Sequence, residues 1–247
     1  MIQKDEHTFV TLTGCEKESF DRRTRTVLGD EAVERLKKAN VIIFGVGGVG
    51  GYALEALVRG GVGNITVVDS DTVALSNLNR QIIATQEVLG RKKAEVAKER
   101  ALSINPEAHI TAIVAFYSEE NKNAFDLSLY DYVIDAIDTV SAKITLIAEA
   151  KKAGVKIISS MGTGNKLDPT RFKVSDISKT HTDPLARVVR TRLKKLGITS
   201  LKTVFSDEEP TSLPGVRVPG SLSFVPSVAG LIIGGEVIKE LSSGKDN

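Results

Sequence analysis

The feature of the sequence that most constrains its fold is the run Gly-Val-Gly-Gly-Val-Gly at residues 45–50. It follows an uncharged apolar run at 41–44, which predicts a buried parallel strand. A helical pattern at 52–59 comes next, and residues 65–68 predict a second buried strand that leads into Asp69. A glycine-rich turn between a strand and a helix, with an acid at the tip of the next strand, predicts a nucleotide-binding βαβ unit.

The parts of this unit have separate chemical roles. Gly45 and Gly47 let the backbone approach a phosphate, and Gly48 belongs to the same turn. Gly50 lets the helix pack closely on the strand, while free backbone N–H groups at the helix start face the anion. Asp69 is placed to bind the ribose hydroxyls. The unit is therefore expected to hold the sugar and phosphates of one nucleotide.

The stretch that follows helps to distinguish between nucleotides, because the glycine turn alone is most often found in NAD enzymes. It supplies carboxylates, amides and cations that could face a phosphate chain, namely Asp69, Asp71, Ser76, Asn77, Asn79, Arg80 and, further on, Lys93. A triphosphate carries about two more negative charges than a diphosphate and normally binds Mg²⁺, so cations and amide donors fit it better. The alternative is that Arg80, Lys92 and Lys93 are solvated helix charges.

Strand and helix patterns alternate over the rest of the chain. Helices are expected at 29–39, 92–104, 139–153, 184–196 and 227–241, and strands at 110–115, 132–136, 155–159 and 171–175. Asp183 is the expected N-cap of the fourth helix, and a long loop is expected at 206–221. The predicted fold is a Rossmann-like, doubly wound α/β sheet that is mostly parallel, with antiparallel strands added in the C-terminal half. Residues 1–19 are expected to form an N-terminal arm and residues 20–247 a single domain.

Asp138 lies just beyond the predicted strand at 132–136. Ligands of open α/β sheets bind outside the carboxyl ends of the strands, so this carboxylate should lie near the phosphates. A phosphate would repel it unless the carboxylate held a cation, which makes Asp138 the Mg²⁺ candidate. The alternative is that Asp138 caps the following helix, and one residue could do both.

Composition and absent motifs exclude several classes. The 247 residues carry a net charge of +2 and a single cysteine, Cys15, upstream of the nucleotide unit. No CxxC pair is present, which argues against a structural zinc, and the position of Cys15 argues against transfer through a cysteine thioester. The longest apolar run, at 225–238, is interrupted by glycines. We expect a soluble cytoplasmic protein that does not enter a membrane.

Five motifs occur in a fixed order: GxGGxG, DxD, SNLxRQ, GxxKxE and DxxD. Together they resemble the adenylating domain of ubiquitin-activating-type enzymes, the family that includes the ThiF and MoeB proteins. The resemblance extends from about residue 21 to residue 241. Residues 161–170, 174–180 and 219–230 are similar to the branch of this family that dehydrates threonylcarbamoyladenosine in tRNA. Thr139 departs from the family pattern, in which most relatives have asparagine.

The resemblance implies an enzyme that uses ATP and Mg²⁺. A substrate carboxylate would attack the α-phosphate, with Arg80 and Lys93 holding the departing phosphates, Asp138 the metal and Asp69 the ribose. In the branch that the second half resembles, the acid is the threonylcarbamoyl group of a tRNA adenosine. A nitrogen of the same group then closes a ring and expels AMP, which is a net dehydration.

The resemblance also implies partners. Members of the family are homodimers in which an arginine before the first helix reaches the ATP of the neighbouring subunit. Arg23 is the best match by spacing, with Arg22 and Arg25 as rivals. The tRNA is the expected substrate, and a cysteine desulfurase or sulfur-acceptor system is a candidate partner.

A cationic stripe on the predicted helix at 184–196 is a candidate tRNA-binding surface. Arg187, Arg190 and Lys194 fall at i, i+3 and i+7 and should share one helix face. Lys166, Arg171 and Lys179 flank this helix in sequence. The alternative is an ordinary solvated helix face.

The sequence is also compatible with three other functions. A ThiF- or MoeB-like enzyme would activate the C-terminus of a small sulfur-carrier protein instead of a tRNA. A NAD-dependent oxidoreductase would use the same glycine turn. A non-catalytic adaptor would use the fold only to dock a partner, although it would have no need of Arg80, Lys93 and Asp138.

Overall fold

The computed structural model describes residues 18–211, 215 and 218–244. One seven-stranded sheet organises them, in the order β3-β2-β1-β4-β5-β7-β6. The strands are β1 (Asn40–Phe44), β2 (Asn64–Val68), β3 (His109–Ile113), β4 (Tyr132–Asp135), β5 (Lys156–Ser160), β6 (Phe172–Asp176) and β7 (Lys202–Ser206). All neighbouring strands are parallel except β6 and β7, which are antiparallel. The predicted mostly parallel α/β fold with an antiparallel addition is confirmed.

The described residues form seven α-helices around the sheet. They are α1 (Arg22–Leu28), α2 (Asp30–Lys38), α3 (Gly50–Gly60), α4 (Lys93–Ile104), α5 (Val140–Lys152), α6 (Pro184–Lys195) and α7 (Phe224–Ser242). Alternate residues of β1 point to opposite faces: Val41 and Ile43 join the apolar core formed with α2, α3, α4 and α7, whereas Ile42 and Phe44 join the core formed with α5 and α6. The sheet is therefore buried on both sides, as doubly wound folds require.

The glycine turn after β1 is packed too closely for larger residues. A Cβ at Gly50 would lie 1.8 Å from the carbonyl oxygen of Gly45, and one at Gly45 would lie 2.7 Å from that of Ala136. Gly45 also has a φ of 85°, which favours glycine. The turn is thereby held against the end of β4, and the predicted role of Gly50 in packing the helix on the strand agrees with this geometry.

Two elements were not predicted from the sequence. The short helix α1 precedes the predicted first helix, and β7 lies where no element was assigned. On α6, Asp183 is the N-cap as predicted, since its carboxylate accepts a hydrogen bond from the Ala186 backbone N–H. The predicted helix at 184–196 ends one residue earlier, at Lys195, and its C-cap Leu196 is 56% exposed.

Two further expectations concern the N-terminal arm and the absence of membrane-spanning helices. Most of the predicted N-terminal arm, including Cys15, lies outside the described residues. Among the helices that the structure describes, none combines the length and apolar character needed to cross a membrane.

Candidate active site

The predicted site residues converge on one cleft at the carboxyl ends of β1, β2 and β4. Those that line it are Gly45, Gly47, Gly48, Asp69, Asp71, Arg80, Lys93 and Asp138. The register explains the convergence, because Phe44, the last residue of β1, pairs with both Val68 and Asp135. Each of those strands therefore delivers its following loop to the same edge of the sheet. Gly50 lies behind this wall, at the start of α3.

Arg80 is held at the cleft wall by its own loop. Its Nη1 donates to the backbone oxygen of Ser76 at 2.8 Å and to Oδ1 of Asn79 at 3.0 Å. Asn77 is buried and accepts a hydrogen bond from the Ala74 backbone N–H, which shapes the turn. Ser76, Asn77 and Asn79, which were predicted to bind the nucleotide, are not among the residues that line the cleft. Ser76 and Asn79 accept the hydrogen bonds that orient Arg80.

Lys93 is buried at the opposite side of the cleft and is 6% exposed. Its Nζ lies 2.9 Å from Oδ2 of Asp71, and its backbone N–H donates to the backbone oxygen of Asp71. Lys93, in the GxxKxE motif, and Asp71, in the DxD motif, are therefore in contact, although 21 residues lie between them in the chain. The alternative that Lys93 is a solvated helix charge is wrong, because the first turn of α4 faces the cleft.

Asp69 shapes the glycine turn from the tip of β2. One carboxylate oxygen accepts a hydrogen bond from the Val46 backbone N–H at 2.8 Å, and the other accepts from the Asp71 backbone N–H at 2.9 Å. A carboxylate with two backbone donors is held in one orientation. It lines the cleft beside the turn, which is the position that a ribose-binding acid would require.

Asp138 is exposed at the cleft and is not the helix cap. The N-cap of α5 is Thr139, and the Asp138 carboxylate accepts a hydrogen bond from the Thr139 hydroxyl at 3.4 Å. The alternative of a capping role for Asp138 is therefore wrong, since the helix starts one residue later than a cap at this position requires. Its carboxylate is open towards the cleft.

The acids of the cleft fit a magnesium ion only in the company of phosphates. Asp69 accepts two backbone hydrogen bonds and Asp71 is paired with Lys93, whereas no ion pair to Asp138 is found among the described residues. No group of three metal-ligating side chains occurs among those residues either. Mg²⁺ is usually bound through one or two carboxylates together with substrate phosphates and water. A single carboxylate beside two cations suits that arrangement and would not suit an all-protein metal site.

Several cleft residues were not predicted as site residues. Gln81 follows Arg80 in the SNLxRQ motif, is 6% exposed, and its Oε1 has no hydrogen-bond partner in the described part of the chain. Phe116 and Tyr117 lie beyond β3, and Thr163 and Ser221 come from the second half. Gln81, Thr163 and Ser221 lie in segments that resemble the family or its branch, and those motifs could have revealed them. The others reach the cleft through loops, whose positions periodicity does not predict.

The three candidate arginines of the arm differ in their surroundings. Arg25 forms ion pairs with Asp21, Asp30 and Glu34. Hydrogen bonds from Arg25, and then from Lys37, hold the pKa of the Asp21 carboxyl well below its usual range. Arg25 therefore has a structural role, because its ion pairs link α1 to α2. Arg23 is exposed and does not line the cleft of its own chain.

Known proteins resemble this chain over nearly its whole length. The tRNA threonylcarbamoyladenosine dehydratase of Bacillus subtilis strain 168 is 47% identical over 237 residues, which cover 89% of this chain and 93% of that protein. The crystal structure of the Escherichia coli tRNA N6-threonylcarbamoyladenosine dehydratase in complex with ATP has a TM-score of 0.83 at 36% identity, covering 89% of this chain and 92% of that one. Its complex with AMP has a TM-score of 0.84 at the same identity and coverage.

Relatives named as adenylyltransferases are more distant. The molybdopterin-synthase adenylyltransferase of Escherichia coli is 37% identical over 143 residues, which cover 58% of this chain and 57% of that protein. The model of the ThiF family matches residues 20–247. The resemblance predicted from the five motifs is confirmed, and the chain belongs to the ThiF family.

Proposed function

We propose that this chain is an ATP-dependent tRNA-modifying enzyme, which adenylates the carboxylate of threonylcarbamoyladenosine in tRNA and promotes its cyclisation with loss of AMP. The observation that carries the proposal is the convergence of the glycine turn with Arg80, Lys93 and Asp138 in one cleft. A cleft with two cations suits a triphosphate better than NAD. The similarity to dehydratases solved with ATP and AMP supports the same choice.

The chemistry needs no side-chain base, because the substrate carboxylate is already a nucleophile. It attacks the α-phosphorus of ATP, a new P–O bond forms, and pyrophosphate leaves. Arg80 and Lys93 stabilise the negative charge that builds up on the departing phosphates, and the N–H groups of the glycine turn hold the phosphates in place. Positioning and charge stabilisation then account for catalysis.

The second step consumes the acyl-adenylate. A nitrogen of the same threonylcarbamoyl group attacks the activated carbonyl carbon, the ring closes, and AMP leaves with the carboxylate oxygen. The substrate has then lost one molecule of water overall. Thr163 and Ser221 line the cleft from the second half of the chain, on the side that would face the acyl group.

Mg²⁺ fits this proposal through Asp138. The metal would neutralise phosphate charge when bound. Asp138 would hold it with one carboxylate, and the phosphates of ATP would supply other oxygen ligands. This requirement explains why a carboxylate stands at a cleft that otherwise attracts anions.

The proposal extends to partners and location. We expect a homodimer in which Arg23 reaches the ATP of the neighbouring subunit, and action in the cytoplasm, where tRNA and ATP occur. A cysteine desulfurase or sulfur-acceptor system stays a candidate partner on the family resemblance alone. The membrane is not expected to take part.

The test is nucleoside analysis of tRNA that carries threonylcarbamoyladenosine, before and after incubation with the protein and ATP. The cyclic, dehydrated nucleoside should appear together with AMP and pyrophosphate. A small protein ending in Gly-Gly serves as the competing substrate. Pyrophosphate release with that protein, and none with tRNA, would instead support a sulfur-carrier adenylyltransferase.

A further inference from the structure

A fully buried ion pair lies directly beneath the candidate active site. Nζ of Lys143, on the second turn of α5, is 2.8 Å from Oδ2 of Asp135 at the end of β4, and both side chains are 0% exposed. The same ammonium donates to Oγ of Ser159 at 3.2 Å and to the backbone oxygen of Ser160 at 3.0 Å. Ser159, also buried, donates to Asp135 Oδ2 at 2.6 Å.

Stability alone does not explain such a pair. Removing two charges from water is costly, and apolar residues of similar volume often replace a buried ion pair without loss of stability. Apart from the two serines, Leu146 and Ile147 of α5 and Ile157 of β5 belong to the apolar core on this face of the sheet. A pair retained at this position therefore points to a requirement for geometry, and its hydrogen bonds indicate which geometry is held.

The pair connects two loops that follow the neighbouring strands β4 and β5 and that both line the cleft. On one side, Oδ1 of Asp135 accepts a hydrogen bond from the Ile137 backbone N–H at 3.2 Å, which fixes the turn that carries Asp138. On the other side, the bond to Ser160 fixes the end of β5, three residues before Thr163. Asp138 and Thr163 both line the cleft.

The glycine turn is included in the same arrangement. Ala136 lies so close to it that a Cβ at Gly45 would meet the Ala136 carbonyl oxygen at 2.7 Å. A shift of the turn after Asp135 would therefore displace the phosphate-binding backbone as well. The loops after β1, β4 and β5, which all line the cleft, therefore all depend on the buried Lys143–Asp135 pair.

We propose that Lys143 is a positioning residue, which sets the distance between the Asp138 turn and the Thr163 loop through its bonds to Asp135, Ser159 and Ser160. This inference rests on the proposed function, because it assumes that ATP and Mg²⁺ occupy the cleft. Lys143 itself is enclosed and touches no substrate. Its effect is exerted through Asp138 and the loop backbone.

The test measures binding of a non-hydrolysable ATP analogue by calorimetry across a Mg²⁺ titration, alongside thermal stability without ligand. Lys143→Met removes the three donated hydrogen bonds and leaves Asp135 as a buried unpaired charge. The double variant Lys143→Met/Asp135→Asn removes that charge and keeps an oxygen for the Ile137 N–H. We expect the double variant to regain much of the stability lost in Lys143→Met, yet to bind the analogue roughly tenfold more weakly at saturating Mg²⁺.

Two control variants distinguish a loss of positioning from a general loss of stability. Arg100→Met breaks the bonds of Arg100 to the partly buried Glu55 between α3 and α4, so it should lower stability without changing ATP affinity. Ser159→Ala keeps both charges and should fold normally, with affinity reduced about threefold. Wild-type affinity in both Ser159→Ala and the double variant, with the native circular dichroism spectrum, would overturn the positioning role.

The design separates this inference from the proposed function. Wild-type protein that binds the analogue with Mg²⁺ but leaves tRNA unmodified would refute the tRNA substrate, while the binding comparison would still decide the role of Lys143. Wild-type protein that does not bind the analogue at all would overturn both.

Discussion

At the scale of single residues, Asp138 is the group whose environment points most directly to a chemical role. Its carboxylate is exposed at the cleft, and Thr139, not Asp138, is the N-cap of α5. Substitution of Asp138 therefore leaves the helix cap intact. A loss of activity in such a variant can be assigned to the chemistry.

We expect Asp138→Asn to retain the thermal stability of the wild type and to adenylate roughly 10²-fold more slowly. The physical reason is that an amide keeps the size of the side chain but loses the charge that would hold Mg²⁺. The measurement is ATP-dependent AMP formation with tRNA over a range of Mg²⁺ concentrations. Glu107→Gln, an equivalent change at an exposed residue away from the cleft, should have no effect. Normal turnover in Asp138→Asn would remove this residue from the site.

Lys166 is buried, although the sequence predicted that it would flank a tRNA-binding surface. It is 2% exposed and donates to the Ser206 backbone oxygen at 3.0 Å. Burial lowers the pKa of its amine below the ordinary value of 10.5, against the opposing effect of Asp183. Lys166 cannot meet a tRNA phosphate and instead makes stability depend on pH.

The sign of that dependence follows from the lowered pKa. As the pH rises, folded Lys166 loses its proton before the unfolded chain does, so the unfolded state binds more protons over that interval. The free energy of unfolding should therefore increase with pH in the alkaline range up to about 10.5. Urea unfolding of Lys166→Met should show a flatter increase than the wild type, whereas Lys179→Met, at an exposed lysine, should follow the wild type. Equal slopes in all three proteins would contradict the burial effect.

These residues also mark the limit of prediction from the sequence. Lys93 could be assigned because it lies in a motif, and Asp138 because it follows a recognisable strand. Lys143 and Lys166 gave no such signal, since a lysine in a helix or loop is usually solvated. Their burial depends on carbonyl and carboxylate partners supplied by distant strands, such as Ser160 and Ser206, and local sequence does not report those partners.

At the scale of elements, α6 illustrates how a helix face can be predicted while one of its residues is misassigned. Arg187 and Lys194 are exposed, as the spacing predicts. Arg190 is half-buried, and its Nη1 donates to both the backbone oxygen and the hydroxyl of Thr180, at 2.8 and 2.6 Å. Arg190 therefore stabilises the turn before α6. Its substitution would disturb that turn, so it is a poor choice for testing a tRNA contact.

A tRNA needs cations on the protein surface, because phosphate contacts supply most of the affinity that is independent of sequence. We expect Arg187→Glu to weaken tRNA binding and to reduce the slope of log affinity against log salt by about one unit. ATP affinity should not change. The same charge reversal at Lys38, an exposed residue of α2, is the matched control. If the salt slope of Arg187→Glu equals that of the control, this helix does not contact tRNA.

The unpredicted strand β7 shows why elements are missed. Lys202–Ser206 is only five residues long, with Thr, Val and Phe at its centre, and it is followed at once by acids and a proline. Its partners are β5, more than 40 residues earlier, and the antiparallel β6. A five-residue run buried on both faces carries no alternation, so periodicity cannot separate it from a loop. The longer βαβ units were predictable because strand, glycine turn and helix supported one another.

At the scale of the whole molecule, the surface around α1 suggests contact with a second subunit. Val27 is 81% exposed and Phe20 is 53% exposed, and both lie close in sequence to the exposed Arg23. Exposed apolar side chains that lie close together are typical of an interface. Arg23 is absent from the lining of its own cleft, which leaves it available for the cleft of a neighbour.

The prediction that follows uses complementation between two impaired proteins. In a two-fold dimer, each site would combine the Asp138 of one subunit with the Arg23 of the other. Arg23→Ala and Asp138→Asn should each have at most roughly one hundredth of wild-type activity alone. After mixing and subunit exchange, heterodimers should contain one intact site, so random pairing restores about a quarter of wild-type activity. If Arg23 instead acted within its own subunit, no site in the mixture would be intact and no activity would return. A mixture of Asp138→Asn with the double variant Arg23→Ala/Asp138→Asn should stay at that low level in either case, and mass spectrometry of the mixed dimers confirms that exchange has occurred.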